Sequence, residues 1–176
     1  DEPTVLYAEA DAAVYPDYVP NDPYYRYQWN LQKIGMERAW DVNRGGSSSV
    51  TVAVLDTGVA YLDRGSFARA PDFDAAAFVP GYDFVWDDTE PVDFDGHGTH
   101  VAGTVAQATN NSVGPAGMAF GVRIMPVKVL YTDWDDAWDA PYPYGSSTVA
   151  RGIRFATDNG AKVINMSLGS FSANTA

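Results

Sequence analysis

The sequence predicts an α/β fold, a parallel β-sheet flanked by helices, and three observations support that prediction. First, VTVAVLD (50–56) is a continuous apolar run, as expected of a parallel strand buried on both faces, and VRIMPVKVL (122–130) and AKVINMSLG (161–169) read as a strong strand and a further buried strand. Second, segments with helix signatures at 98–108 and 147–160 separate them. Third, with a weaker strand at 76–85 the order becomes β, β, α, β, α, β, which suits parallel strands joined by helical crossovers.

Each element follows from its residues. Residues 1–25 are rich in Tyr, Pro, Asp and Ala, and VLYAEADAAVYP (5–16) is their strand-like part. PDYVPNDPYY (16–25) reads as an extended linker, because each proline restricts itself and its predecessor. A short helix is expected over 35–42, followed by the RGGSSS loop. The 122–130 strand contains Pro126, which implies an edge or a bulge there. The 147–160 helix opens on a Ser/Thr cap and ends at Asn-Gly.

Composition excludes several classes of function. A net charge of −12 argues against a nucleic-acid partner, since phosphate binding needs a basic face. No apolar run approaches the roughly 20 residues that span a bilayer, so no membrane partner is expected. The chain also opens without a basic-then-apolar leader. It has no cysteine, which removes disulfides and thiol chemistry. Aspartate outnumbers glutamate 19 to 4. Aspartate prefers turns, caps and oxygen-rich cation sites, so acid is concentrated in loops, either as solvated surface or as calcium ligands.

In α/β sheets, active sites gather at the carboxyl ends of strands. Asp56 ends the first strand, His97 opens a helix, and Ser167-Leu168-Gly169 ends the last strand. A carboxylate that orients one imidazole nitrogen leaves the other free as a base. His97 and His100, the only histidines, stand at helical i,i+3 spacing and could be read as a metal pair. A catalytic zinc needs a third protein ligand, and Gly98 fills the position where a zinc-protease helix carries glutamate. Gly98 reads instead as room for close packing.

VAVLDTGV, DGHGTHVAGTVA, NNSVGPAGMA, IMPVKVL and VINMSLG, in that order, resemble the subtilisin-like serine proteases, with the thermitase-type branch indicated by NDPYY, QWNLQKIG, AWD and TNNSVGPAG. The resemblance covers about residues 20–170. It implies serine endopeptidase activity on protein or peptide substrates, with Asp56 as triad aspartate and His97 as general base. His100 falls within the same helix in a packing role. Ser167, Leu168 and Gly169 match the segment that pairs with substrate backbone, and Gly145 and Ser146 are candidates for the opposing strand. Calcium is the implied structural cofactor. Asn111, the carbonyls of Ala108, Val113 and Pro115, and the carboxylates of Asp22 and Asp72 match one site, while Asp83 and Asp88 resemble part of a second. The resemblance also implies a secreted protein.

The sequence departs from the family pattern in three places. No GTSMA-type nucleophile segment occurs before Ala176. Residues 21–176 are therefore expected to be the N-terminal part of a catalytic domain, with a fold incomplete without the C-terminal part that carries the serine. That part could be a separate chain, and these residues alone are expected to be inactive. A catalytically silent peptide-binding module is the alternative. Residues 1–20 resemble a propeptide remnant or an N-terminal extension. Finally, YTDWDDAWDAPYPYGSS (131–147) is unusually acidic and aromatic. It reads as a loop packed by its own aromatics, or as a rim where Asp133, Asp135, Asp136 or Asp139 favours basic substrates.

Overall fold

The computed structural model describes residues 4, 7, 9–10, 18–74, 77–137 and 145–169. Most of the 1–20 segment, including its expected strand, lies outside the described residues. Four parallel strands, β1 (Thr51–Asp56), β2 (Tyr82–Asp83), β3 (Arg123–Lys128) and β4 (Val163–Asn165), form one sheet in the order β2-β3-β1-β4. A 3-10 turn (Tyr25–Tyr27) precedes helices α1 (Trp29–Lys33), α2 (Met36–Val42), α3 (His97–Ala106), α4 (Asp133–Ala137) and α5 (Ser146–Asp158).

The central strands are continuously apolar because both sheet faces are covered. Val52 and Val54 of β1 pack with Ile124 of β3 against Ala102 and Ala106 of α3. Ala53 and Leu55 point the other way and pack with Met125, Val127 and Ala156 of α5. Alternate residues of one strand thus serve two cores. Each fully buried Val or Leu contributes about 1.5–3 kcal/mol of transfer free energy.

The structure corrects several expectations. Pro126 is not on an edge, because β3 lies between β2 and β1. Its other expected setting, a bulge, is present in the neighbouring segment. Phe78 faces Ile124 and Tyr82 faces Val127, so four steps on one side oppose three on the other. A Cβ on Gly81 would lie 1.9 Å from the Pro126 carbonyl oxygen, so the close approach there requires glycine. Strand β4 is three residues long rather than spanning 161–169, and Ser167–Gly169 lie beyond it. Helix α5 is capped by Gly145 with no side-chain hydrogen bond, not by Ser or Thr.

The described part of the expected linker is anchored rather than free. Tyr25, Leu31 and Trp40 form a third buried cluster with Ala116, and the Trp40 indole donates to the Met118 carbonyl at 2.9 Å. Residues 18–42 therefore dock on the loop that follows α3. No helix among the described residues is long and apolar enough to cross a membrane.

Candidate active site

The fully buried Asp56 side chain leaves the end of β1. Its Oδ1 accepts the Thr57 backbone N–H at 2.7 Å and lies 2.7 Å from His97 Nδ1. An ionised carboxylate only accepts, so it selects the imidazole tautomer with the proton on Nδ1 and leaves Nε2 as the free basic nitrogen. The hydrogen bond to Asp56 raises the His97 pKa, burial opposes that, and the charges of Asp56, Asp95 and Asp93 add to the rise. The His97 side chain is 49% exposed, so its ring is open to a reactant.

Thr57 and Asp93 hold this pair in place. The Thr57 hydroxyl accepts the Gly98 N–H at 2.9 Å and donates to Asp93 Oδ1 at 2.9 Å. Asp93 Oδ1 also accepts the N–H groups of Asp95 and Gly96, each at 3.0 Å, and its Oδ2 accepts both the N–H and the hydroxyl of Thr99. Burial alone would raise the Asp93 pKa, but the bonds from Gly96, Thr99 and Asp95 outweigh it and hold the carboxyl below its ordinary value. The buried carboxylate thus caps the start of α3 from outside the helix and ties it to β1. Gly98 is needed for the approach, since a Cβ there would lie 2.1 Å from the Gly58 carbonyl oxygen. The close-packing reading of Gly98 holds.

The two histidines have separate surroundings. His100 is exposed rather than packed and lines a cavity of about 400 Å³ with Phe67, Phe73 and Gln107. The expected packing role is therefore wrong, because its position on α3 faces this opening and not the sheet.

The peptide-binding candidates emerge at the same end of the sheet as Asp56. Val54 pairs with Asn165, so continuing that register brings Ser167 level with Asp56. Ser167 and Gly169 are exposed, while Leu168 packs partly against the sheet. Gly145 and Ser146 are exposed at the start of α5.

In the acidic 131–147 segment the structure corrects the substrate-rim reading at Asp135, while residues 138–144, with most of its aromatics, lie outside the described residues. Asp135 is fully buried and pairs with buried Lys128 at 3.0 Å, so it cannot meet a substrate side chain. Asp133 is exposed. The Asp136 side chain and Asp139 lie outside the described residues.

The other end of α3 holds a second acidic pair. Helix α3 stops at Ala106, yet Met118 and Ala119 donate to the carbonyls of Thr104 and Val105, so residues 107–117 loop out of a helix that resumes its bonding. That loop contains Ala108, Asn111, Val113 and Pro115. Buried Asp22 accepts the N–H groups of Asn110 and Asn111 at 2.7 and 3.3 Å. Buried Asp72 accepts Asn111 Nδ2 and Gln107 Nε2, both at 2.7 Å. Burial raises the Asp72 pKa, the two amide bonds lower it, and the charge of Asp22 adds to the rise. A Cβ on Gly114 would lie 2.3 Å from Asp72 Oδ2. The two buried carboxylates are of the oxygen type a hard cation uses, but Asn111 turns its Nδ2 to Asp72 while its Oδ1 accepts the Val113 N–H, so its amide oxygen does not complete the set in this arrangement. Asp83 and Asp88 fit a cation less fully. Asp83 is buried, its Oδ1 accepts the N–H groups of Val85 and Trp86, and burial pushes its pKa up to about 7. The Arg64 guanidinium already stands 3.4 Å from Asp88.

Sequence reasoning missed Thr57, Asp93 and Lys128. Asp93, four residues before His97 at the head of a helix, was open to reading as an external cap; Lys128 carried no comparable signal.

The peptidase S8 (Subtilase family) profile matches residues 47–176. The chain belongs to the subtilase family. It is 42% identical over 173 residues to the thermophilic serine proteinase of Bacillus sp. (strain AK1), a match covering 96% of this chain and 38% of that one. It is 43% identical over 153 residues to thermitase of Thermoactinomyces vulgaris, covering 86% of this chain and 48% of thermitase. The chain therefore spans less than half the length of these two subtilases. Proteases from Pseudoalteromonas arctica share the fold at a TM-score of 0.68 and 31% identity, over 89% of this chain and 52% of that one. Relatives from Dichelobacter nodosus and Xanthomonas campestris, each 34% identical over 95% and 96% of this chain, are named as extracellular proteases.

Proposed function

We propose that these residues are the N-terminal part of the catalytic domain of a secreted, calcium-stabilised serine endopeptidase. One observation carries the reading: Asp56 and His97 meet at 2.7 Å at the carboxyl end of β1, with the His97 side chain half exposed. In this mechanism His97 Nε2 takes the proton of a serine hydroxyl as the hydroxyl attacks a peptide carbonyl. It then gives that proton to the leaving amine. Asp56 keeps the ring in the correct tautomer and stabilises the imidazolium. The serine comes from a segment of the same protein outside these 176 residues, on the same or a separate chain.

Substrate would lie as an added strand along Ser167–Gly169, with Gly145 and Ser146 opposite, because main-chain bonds accept any extended peptide. Calcium would be held by Asp22, Asp72, Asn111 and the carbonyls of Ala108, Val113 and Pro115, with Asp83 and Asp88 as a weaker second set. When bound it supplies positive charge between buried carboxylates and fixes the loop at the end of α3. The extracellular names of several relatives support secretion, and residues 1–20 are read as a propeptide remnant or extension.

A fluorophosphonate probe applied to the full-length protein tests the reading. Covalent labelling that disappears in the His97→Ala variant is the expected result. A folded full-length protein that takes no label but binds extended peptides would favour the silent binding module.

A further inference from the structure

The buried Lys128–Asp135 pair joins the acidic 131–137 segment to the backbone beside Asp56. Both side chains are completely buried, and Lys128 Nζ is shared between Asp135 Oδ2 at 3.0 Å and the Thr57 carbonyl at 2.9 Å. Asp135 Oδ2 also accepts the Thr132 N–H at 2.9 Å and hydroxyl at 2.7 Å, and its Oδ1 accepts the Trp86 indole N–H at 2.6 Å. Every one of these partners donates, so the position requires an acceptor on both oxygens, and only a carboxylate provides that.

The consequence for the candidate site runs through Thr57. Its N–H goes to Asp56 Oδ1, its hydroxyl bridges Gly98 and Asp93, and its carbonyl takes the Lys128 ammonium. The first two tether Asp56 and the start of α3. The third reaches the carbonyl of the peptide that follows Thr57, and the same ammonium is bonded to Asp135 and lies over the Phe94 ring.

We propose that Asp135 is a positioning residue: through Lys128 and the Thr57 carbonyl it fixes the strand end that aligns Asp56 with His97. This rests on the peptidase reading for its kinetic consequence, but the alignment itself does not need the serine. A buried ion pair is weak evidence for stability, because desolvation offsets the attraction. Its value here is in fixing geometry, where a shift of about 1 Å can lower a rate about 100-fold.

The test uses the full-length protein at a temperature where parent and variants are fully folded by circular dichroism. Asp135→Asn turns one acceptor into a donor facing donors and leaves Lys128 without its counter-charge. It is expected to lower kcat by about tenfold or more with little change in KM. The His97 ring should also titrate at lower pH by NMR, as its bond to Asp56 loosens.

If that variant fails to fold, the pair Lys128→Met/Asp135→Asn removes both charges together while still stripping the donor from the Thr57 carbonyl. The expected result is a folded protein with the same kcat loss and the same shift of His97. A folded variant with parental kcat and parental His97 titration would overturn the proposal, leaving the pair with a packing role only. If the parent itself has no peptidase activity, the Proposed function fails separately, and the His97 titration alone decides whether Asp135 positions the site.

Discussion

The two ends of α3 both rest on buried aspartates, but they are stabilised by different means. At the start, Asp93 receives five hydrogen bonds from the protein itself, and its carboxyl is held below its ordinary pKa. At the far end, Asp22 and Asp72 converge on one loop, and burial pushes the Asp72 carboxyl up. Protein donors reach both oxygens of all three carboxylates, yet for Asp93 those bonds outweigh burial, whereas for Asp72 burial wins.

The largest test of this contrast is His97→Ala. In the proposed enzyme it should abolish turnover while leaving the fold intact by circular dichroism. In subtilisin the equivalent loss is about 10⁶-fold in kcat, a figure measured on that enzyme. The acid limb of kcat/KM should lie above the pH of an ordinary histidine, because His97 must be neutral to act and its pKa is raised. The linked stability has the opposite sense: it is fully present below the unfolded-state pKa and lost as pH rises through the folded value. The half-exposed ring makes that contribution small. A pH–rate profile unchanged by Asp56→Asn would break the proposed coupling.

In the proposed calcium-bound protein, a chelator should act on the other end alone. A ligand present at about 100 to 1,000 times its Kd stabilises by about 3–4 kcal/mol, so a chelator should lower Tm by several degrees. Asp72→Asn or Gly114→Ala should remove most of that calcium dependence. The melting temperature with and without chelator checks each variant, and equal values in the parent protein would count against the site.

Asp93→Asn should be next in size. Asparagine offers one acceptor oxygen where five donors converge, so about 2–3 kcal/mol of stability should be lost, with lower activity from a displaced α3. The sign with pH follows from the lowered pKa. Asp93 contributes in full above the ordinary carboxylate range, and the contribution disappears as pH falls through the folded value. Urea titrations at neutral and acid pH should therefore show the parent and the variant converging in acid. A gap independent of pH would show that the charge of Asp93 is not what holds the helix.

The contrast also explains which features were legible in the sequence. β1, β3 and α5 were visible because apolar periodicity and end signals are local properties of VTVAVLD, VRIMPVKVL and STVARGIRFATDNG. Asp56 and His97 were visible because each stands at an element's end. The Lys128–Asp135 pair was not, because a charged residue inside an apolar strand and another in an acidic loop carry no sign that they meet. The setting of Pro126 was half legible: a proline signals a break in the ladder, but the extra residue lies in the neighbouring segment. The PNDPYY stretch was misread because proline content predicts extension but not docking, and Tyr25 is buried by Trp40 and Leu31 of later helices.

The smallest expected effect belongs to His100, and its smallness is informative. His100 sits one helical turn beyond His97, on the same helix, with the same side chain. Its ring is exposed on a cavity wall rather than bonded to a carboxylate. Removing an exposed side chain with no buried partner changes stability by less than about 0.5 kcal/mol. His100→Ala should therefore leave kcat/KM, the pH profile and the chelator-dependent melting shift at parental values. A loss of activity comparable to that of His97→Ala would mean that proximity on the helix, and not the bond to Asp56, distinguishes the two histidines. A change in the chelator-dependent shift alone would mean that the cavity beside Gln107 transmits between the two ends of α3, and that the ends are not independent.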